Sequence, residues 1–154
     1  RQANFSRSFL ANQLCTPSYI SLETALSYYG LIPEGVFATT SITTKKTQTF
    51  KNIYGQFTYS HVKLPLYTHF IQKQDEFNNT FLIATPEKAL IDFFYFKTRF
   101  IQTVEKSLFE DSYRLQNLES INPKLLFSIA EMIGQKKLLN TIEKFITYME
   151  ETHD

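Results

Sequence analysis

Cysteine, glycine and tryptophan are scarce in this sequence, and each scarcity excludes a class of site. The 154 residues contain one cysteine, four glycines and no tryptophan. Because Cys15 stands alone, an internal disulfide and a zinc site built from cysteines are both excluded. The few glycines leave nothing from which to build a Walker loop or a dinucleotide-binding fingerprint. The low glycine and proline content also argues against disordered linkers.

Signals for membranes, metals and covalent catalysis are also missing. No apolar run approaches the roughly 20 residues that a membrane-spanning helix needs, and the start RQANFSRSFLANQ is too polar for a signal peptide. His61 and His69 form the only nearby histidine pair, without a cysteine or acid at a ligand spacing. No G-x-S-x-G elbow occurs. We therefore expect a soluble, cytoplasmic protein that is not an enzyme and holds no metal or cofactor.

What is present is enough apolar and aromatic material for one ordinary domain. Hydrophobic residues make up 43% of the chain, including 15 Phe and 9 Tyr, so we expect a ring-rich core. Hydrophobic periodicity predicts an α+β domain over 1–154: N-terminal helices in 1–35, a small, mostly antiparallel sheet with a basic hairpin in 36–84, and a C-terminal helical bundle in 85–154. The predicted helices span 4–15, 104–115, 123–132 and 138–151, with one more that ends near Gly30 and has Ser18 or Ser21 as its N-cap. The predicted strands span 36–43, 47–50, 55–64 and 80–84.

The clearest local signal is the start of a helix after the last predicted strand. Thr85 suits the N-cap, Pro86 the first helical position, and Glu87 the turn where the helix dipole favours negative charge. The segment that follows is apolar nearly all round, which predicts a central, buried helix.

One charge asymmetry stands out in a chain whose net charge is only +1. No acid occurs between Glu34 and Asp75, whereas acids gather near the C-terminus, at Glu143, Glu150, Glu151 and Asp154. The acid-free stretch contains five lysines: Lys45, Lys46, Lys51, Lys63 and Lys73. Two interpretations remain open. The lysines present a surface to DNA phosphates or an acidic protein, or they protect a solvated sheet edge against aggregation.

One group of residues invites a catalytic hypothesis. Glu87, Lys88 and Asp92 open the predicted buried helix, and Asp92 lies one turn after Lys88. Carboxylates beside a lysine suit a magnesium-dependent nucleic-acid-processing enzyme. The structural interpretation is that Glu87 serves the helix dipole and Lys88 neutralises Asp92.

The order of four segments resembles a known family. PSYISLETALSYYGLIPE, TSITTKKTQTF, GQFTYSHVK and FLIATPEKALIDFFYF, followed by YRLQNLESIN, resemble the C-terminal domain of the AbiEi-like antitoxins of type IV toxin–antitoxin (abortive infection) systems. The resemblance spans nearly the whole chain, and its most specific motif is ATPEKALID directly after a strand.

The resemblance implies a phage-defence antitoxin domain that counters a nucleotidyltransferase-like toxin, in a family that is not enzymatic. Family members also carry an N-terminal winged helix-turn-helix that represses their own operon. This sequence does not contain that module, so the chain is either a piece of a longer protein or a stand-alone antitoxin domain. The resemblance places Lys45, Lys46 and Lys51 in the family's basic segment, with Lys63 as a further binding candidate. It marks Glu87, Lys88, Asp92 and Arg114 as structural motif residues. A plain protein-interaction module is a further alternative.

Overall fold

A computed structural model describes residues 4–152 and confirms an α+β architecture. Asp154, one of the acids noted above, lies outside the described residues. The helices are α1 (Arg7–Leu14), α2 (Leu22–Tyr28), α3 (Pro86–Lys97), α4 (Pro123–Ile133) and α5 (Lys136–Thr152). The strands are β1 (Ser18–Ile20), β2 (Thr39–Thr43), β3 (Gln48–Asn52), β4 (Gly55–His61), β5 (Phe70–Gln74) and β6 (Thr80–Ala84). No helix in this described part is long and apolar enough to cross a bilayer.

The six strands form one mixed sheet in the order β3-β4-β2-β1-β6-β5. β1 pairs parallel with β6 and β2 pairs parallel with β4, while the other neighbours are antiparallel. The sheet is therefore mixed, with three antiparallel and two parallel pairings. Because β4 lies between β2 and β3, the segment 44–47 that joins β2 to β3 must cross the end of β4.

The sheet coils around α1, so that two distant corners of the sheet meet the start of this helix. In the β3–β4 turn, the ring centroid of Tyr54 lies 5.2 Å from the ring centroid of Phe5. From the β5–β6 turn, Asp75 Oδ2 accepts the amide hydrogen of Ser6 at 2.9 Å. Strand twist of the usual hand brings diagonal corners of a sheet toward one another. Helix α1 consequently fills the concave side of the sheet.

Helix α3 is the central helix that the sequence predicts. Thr85 Oγ1 accepts the amide hydrogen of Lys88 at 3.2 Å, and Pro86 follows the cap. All eight residues from Glu87 to Phe94 are buried, which requires that every face of the helix be covered. On its far side the ring of Phe94 packs 5.6 Å from that of Phe109 and 4.9 Å from that of Phe145 of α5.

The largest difference from prediction at the N-terminal side is β1. Residues 18–20 form a buried strand rather than a first helical turn, so the sheet begins inside the segment expected to be helical. Helix α2 starts only at Leu22, and Ser21 stands at its N-cap position without capping it. The reason is that the hydroxyl of Ser21 donates to Asp92 instead.

The predicted helix over 104–115 is confirmed only in its middle. Residues 106–112 are helical, ending in the π-helical turn Leu108–Ser112, and the chain is not helical at 104–105 or 113–115. Arg114 and Asn117 adopt positive φ angles of 55° and 56°, which an α-helix does not accommodate. Strand β5 was not predicted, because FIQKQ lies at an exposed sheet edge and shows little apolar alternation. By contrast, Asn122 caps α4 and Gly134 ends it, and both C-terminal helices lie within two residues of their predicted bounds.

Candidate functional site

The candidate lysines lie at two separate places on the sheet. Lys45 and Lys46 lie in the segment 44–47, and Lys63 follows β4 at the same end of the sheet, because Thr43 pairs with His61. Lys51 lies three residues beyond Gln48 along β3, about 10 Å toward the opposite end. All four side chains are exposed. We call Lys45, Lys46 and Lys63 the lysine end; the structure separates Lys51 from it.

His61 holds the segment 44–47 in place. Its Nδ1 lies 3.2 Å from the carbonyl oxygen of Thr44 and 3.0 Å from that of Lys45. Both carbonyls can only accept, so Nδ1 carries the hydrogen that they share. The amide of His61 also donates to Thr47 Oγ1 at 3.1 Å. The last residue of β4 thus fastens the lysine-bearing segment at three of its four residues.

The threonines of β2 serve the fold rather than the surface. Thr43 Oγ1 donates to the Pro17 carbonyl at 2.7 Å and accepts the amide hydrogen of Lys45 at 3.1 Å. Thr40 Oγ1 donates to the Ser21 carbonyl at 2.6 Å. These hydroxyls are therefore occupied internally and cannot also act as donors to a partner.

Lys88 and Asp92 form a buried ion pair at the centre of the molecule. Lys88 Nζ lies 2.9 Å from Asp92 Oδ1, with side-chain exposures of 0% and 2%. Asp92 Oδ2 accepts hydrogen bonds from Tyr19 and from Ser21, each at 2.8 Å. Lys88 also donates to the Tyr19 hydroxyl at 2.8 Å and to the Leu66 carbonyl at 2.6 Å. The network ties α3 to β1 and to the segment before β5.

Burial dominates the electrostatics of this network. Desolvation raises the pKa of the Asp92 carboxyl, while Lys88 and the hydroxyls of Ser21 and Tyr19 act in the opposite direction. Desolvation, with Asp92 second, also raises the pKa of the Tyr19 phenol well above its ordinary value, so this hydroxyl keeps its proton. Burial and the neighbouring Lys88 lower the pKa of His69, which keeps positive charge away from the pair.

Glu87 performs a different task from its neighbour Lys88. Its Oε2 accepts the amide hydrogen of Asn122 at 3.0 Å, while Asn122 itself caps α4. Glu87 is 8% exposed, so its carboxylate fixes where the C-terminal helices begin relative to α3. The geometry places Glu87 and Asp92 in separate hydrogen-bonding environments rather than around one shared position.

Arg114 lies at the surface, in a segment that fastens the loop after α2. Its guanidinium pairs with Glu34 at 2.8 Å, with the two side chains 58% and 46% exposed. Beside it, the amide of Gln116 donates to the Leu31 carbonyl at 2.9 Å and Asn117 Nδ2 donates to the Gly30 carbonyl at 2.8 Å. Residues 113–117 (YRLQN), which we call the strap, thus hold the 30–34 loop by hydrogen bonds and an ion pair.

Sequence reasoning missed three residues with clear roles. Tyr19 and Ser21 complete the Asp92 network, and Asp75 joins the β5–β6 turn to α1. Asp75 Oδ1 accepts the amide hydrogens of Phe77 and Asn79, each at 2.9 Å. The Asp-x-Phe-x-Asn spacing of a tight turn was a signal for Asp75, whereas nothing local marks Tyr19. Among residues 4–152 no group of three metal-ligating side chains occurs.

Comparison with known proteins finds no relative for this chain. No protein-family model matches it, and searches of curated proteins and of solved structures likewise find no match.

Proposed function

We propose that this chain is the antitoxin domain of a type IV toxin–antitoxin system and counters a nucleotidyltransferase-like toxin without catalysing a reaction itself. One observation carries the proposal. Among the residues of the motifs, Lys88 and Asp92 form a buried network, whereas Lys45, Lys46 and Lys63 form the exposed lysine end. The order of the motifs along the chain supports the antitoxin family. The contrast between buried and exposed motif residues supports a role that involves no catalysis.

The first support is the placement of the residues that a catalytic hypothesis would use. Lys88 and Asp92 are buried and contact one another, so a substrate would have to open the core to reach them. Glu87 bonds the backbone of Asn122. These contacts favour a role in holding the fold over a magnesium-dependent nuclease.

The second support is the lysine end itself. Lys45, Lys46 and Lys63 are exposed, and within residues 4–152 none of them takes part in an ion pair. Strongly hydrated ammonium groups without an internal partner are available to an acidic surface. The proposal assigns toxin neutralisation to this end and assigns no sequence-specific DNA reading to it.

The test is a growth rescue. The nucleotidyltransferase-like toxin that the proposal requires is expressed in a test host, with and without the chain, and colony formation is counted. We expect the chain to restore colonies to the level of a host without the toxin. A soluble, folded chain that leaves colony numbers at the toxin-only level would contradict the proposal.

The enzymatic alternative makes a different prediction in the same system. Purified chain would cleave nucleic acid in a magnesium-dependent way, and Asp92→Asn would abolish the cleavage while rescue disappeared with it. We expect no Asp92-dependent cleavage and expect the rescue by a folded Asp92→Asn variant to survive.

A further inference from the structure

A cleft of about 280 Å³ opens where the first turn of α1 meets α2 and the start of β2. Arg7 and Ser8 line it from α1, Tyr28 from α2, and Val36 and Thr39 from the chain that enters β2. Its volume lies just below the range of about 300–1,000 Å³ that pockets for drug-sized ligands have, so the cleft suits a small ligand. None of its lining residues belongs to the lysine end or to the buried ion pair.

Thr39 is the most deeply buried residue of the cleft wall, and it differs from the other threonines of β2. The hydroxyls of Thr40 and Thr43 donate to backbone carbonyls, whereas the Thr39 hydroxyl has no hydrogen-bond partner within residues 4–152. Yet Thr39 is only 5% exposed. A buried hydroxyl without a partner is unfavourable, so its position in a cleft wall indicates a group that a ligand can satisfy.

The Thr39 side chain points toward α1. Side chains alternate along a strand, so Thr39 shares a face of β2 with Ser41, and Ser41 lies opposite Tyr59 of β4. The Tyr59 hydroxyl donates to the Ala11 carbonyl of α1 at 2.6 Å, so this face lies beneath the helix. The hydroxyl of Ser41 is fully buried and also has no partner in the described part of the chain. Two unpartnered hydroxyls therefore follow one another beneath α1, and the outer one borders the cleft.

Arg7 supplies the positive charge of the cleft. A Cβ atom at Gly55 would lie 3.6 Å from the guanidinium carbon of Arg7, so the guanidinium packs on the backbone of Gly55. Arg7 forms no ion pair with any residue from 4 to 152, and none of the lining residues in that range is acidic. Asp75, whose carboxylate bonds the Ser6 amide, does not line the cleft. The guanidinium is therefore held in place and available to an anion.

The first turn of α1 adds further donors. Ser6 caps the helix, because its hydroxyl oxygen accepts the Phe9 amide hydrogen at 3.1 Å and its carbonyl accepts that of Leu10. The amides of Arg7 and Ser8 have no backbone partner between residues 4 and 152, as is usual for the first residues of a helix. The helix dipole favours negative charge at this end. A guanidinium, two hydroxyls and a helix start together suit a phosphate group.

We infer that this cleft binds a small phosphate monoester, with the phosphate on Arg7, Ser8 and Thr39 and the organic group against Tyr28. Donors at three positions match the three terminal oxygens of a phosphate monoester better than the two oxygens of a carboxylate. The Tyr28 ring is 52% exposed and packs edge-on at 5.1 Å from the ring of Tyr29. A ring that is exposed but held in place offers a surface to an aromatic group. The inference does not rest on the proposed function.

The test is a titration of the nitrogen-labelled chain, followed by nuclear magnetic resonance at constant ionic strength. The two probes are adenosine monophosphate and inorganic phosphate. We expect saturable shifts in the amide signals of Arg7, Ser8 and Thr39, with a dissociation constant of about 1 mM or lower for adenosine monophosphate. Inorganic phosphate should shift the same signals but bind more weakly, because it lacks the ring.

Five variants separate binding from folding. Thr39→Val keeps the shape and removes a hydroxyl without an internal partner, so we expect unchanged or higher thermal stability but about threefold to tenfold weaker binding of both probes. Arg7→Gln should weaken both about tenfold or more, because the lost bond is to a charged group. Tyr28→Ala should weaken only the nucleotide. Arg99→Gln and Thr49→Val, at exposed positions outside the cleft, should resemble wild type.

Distinct results would overturn distinct parts of the inference. If neither probe gives saturable shifts with wild type, the cleft is not a phosphate site. Binding that Thr39→Val and Arg7→Gln leave unchanged would mean that phosphate binds elsewhere, and a destabilised Thr39→Val would mean that the hydroxyl serves the fold. Equal affinity for both probes, unaffected by Tyr28→Ala, would refute the assignment of the organic group. None of these results depends on the growth rescue, so failure of the proposed function is measured separately.

Discussion

Two groups of lysines in this chain differ in almost every physical respect. Lys88 is fully buried, bonded to a carboxylate, a phenol and a carbonyl. Lys45, Lys46 and Lys63 are exposed, and none of them forms an ion pair within residues 4–152. A buried ammonium needs fixed partners because its desolvation is unfavourable, whereas an exposed one remains available for binding. Lys88 therefore helps to hold the fold, whereas Lys45, Lys46 and Lys63 remain available to bind a partner.

Breaking the buried pair should have the largest effect on stability. Lys88→Met leaves Asp92 as an uncompensated buried carboxylate, and we expect a loss of about 3–5 kcal/mol in the free energy of unfolding. Chemical denaturation of Lys88→Met, Asp92→Leu and the double variant measures it. The double variant should be more stable than the sum of the two losses predicts, because it removes both charges.

The control for that prediction is the exposed pair of α3. Lys97 Nζ lies 3.1 Å from Glu23, with exposures of 45% and 35%. Lys97→Met should change stability by less than about 1 kcal/mol. Equal losses for Lys88→Met and Lys97→Met would remove the distinction between the two groups of lysines.

Asp75 offers an intermediate and pH-dependent test of the α1 anchor. Partial burial raises its pKa, but hydrogen bonds from the amides of Ser6, Asn79 and Phe77 outweigh this and lower it well below the ordinary value. A lowered pKa in the folded state contributes stability above the unfolded pKa of about 4, and this contribution is lost as the pH falls below it.

Asp75→Asn keeps an oxygen for the Phe77 and Asn79 amides but replaces the acceptor of Ser6 with a donor. We expect faster amide exchange in the first turn of α1 and little change in the β5–β6 turn. The stability difference from wild type should shrink as the pH falls from about 5 toward 2. A difference independent of pH would show that the carboxylate does not anchor the helix.

The smallest effect is expected at Arg114. Its pair with Glu34 is exposed on both sides, so Arg114→Ala should alter the free energy of unfolding by about 0.5 kcal/mol or less. Thermal unfolding alongside Glu34→Ala checks this. A loss above about 2 kcal/mol would mean that the strap depends on this ion pair rather than on the backbone bonds of Gln116 and the side chain of Asn117.

Local signals predicted α3, α4 and α5 well, and the start of α2 and the 104–115 segment poorly. The cap at Thr85 and the proline at Pro86 act within one turn, so the sequence around them suffices. Strand β1 has three residues and depends on partners in β2 and β6, which no local pattern reveals. The 104–115 segment has helical periodicity, but its helix ends at Ser112, and from Arg114 onward the chain contacts the loop at 30–34 instead.

The candidate site could also be predicted only in part from local sequence. The absence of acids between Glu34 and Asp75 is visible in the sequence and identified the lysines. The sequence does not show which of these lysines lie at the same end of the sheet. That depends on the strand order, because the segment 44–47 crosses the end of β4. The partner of Asp92 at Tyr19 is 73 residues away in the chain. Such long-range pairs are set by the topology of the sheet rather than by spacing.

The most direct test of the central claim is the growth rescue repeated with a chain that lacks the lysine end. Lys45→Ala/Lys46→Ala/Lys63→Ala is compared with wild type and with Lys136→Ala, with circular dichroism and thermal unfolding confirming that all three are folded. The account predicts that wild type and Lys136→Ala rescue growth and that the triple variant does not. Full rescue by the folded triple variant would contradict it, because the exposed lysines would then have no part in countering the toxin.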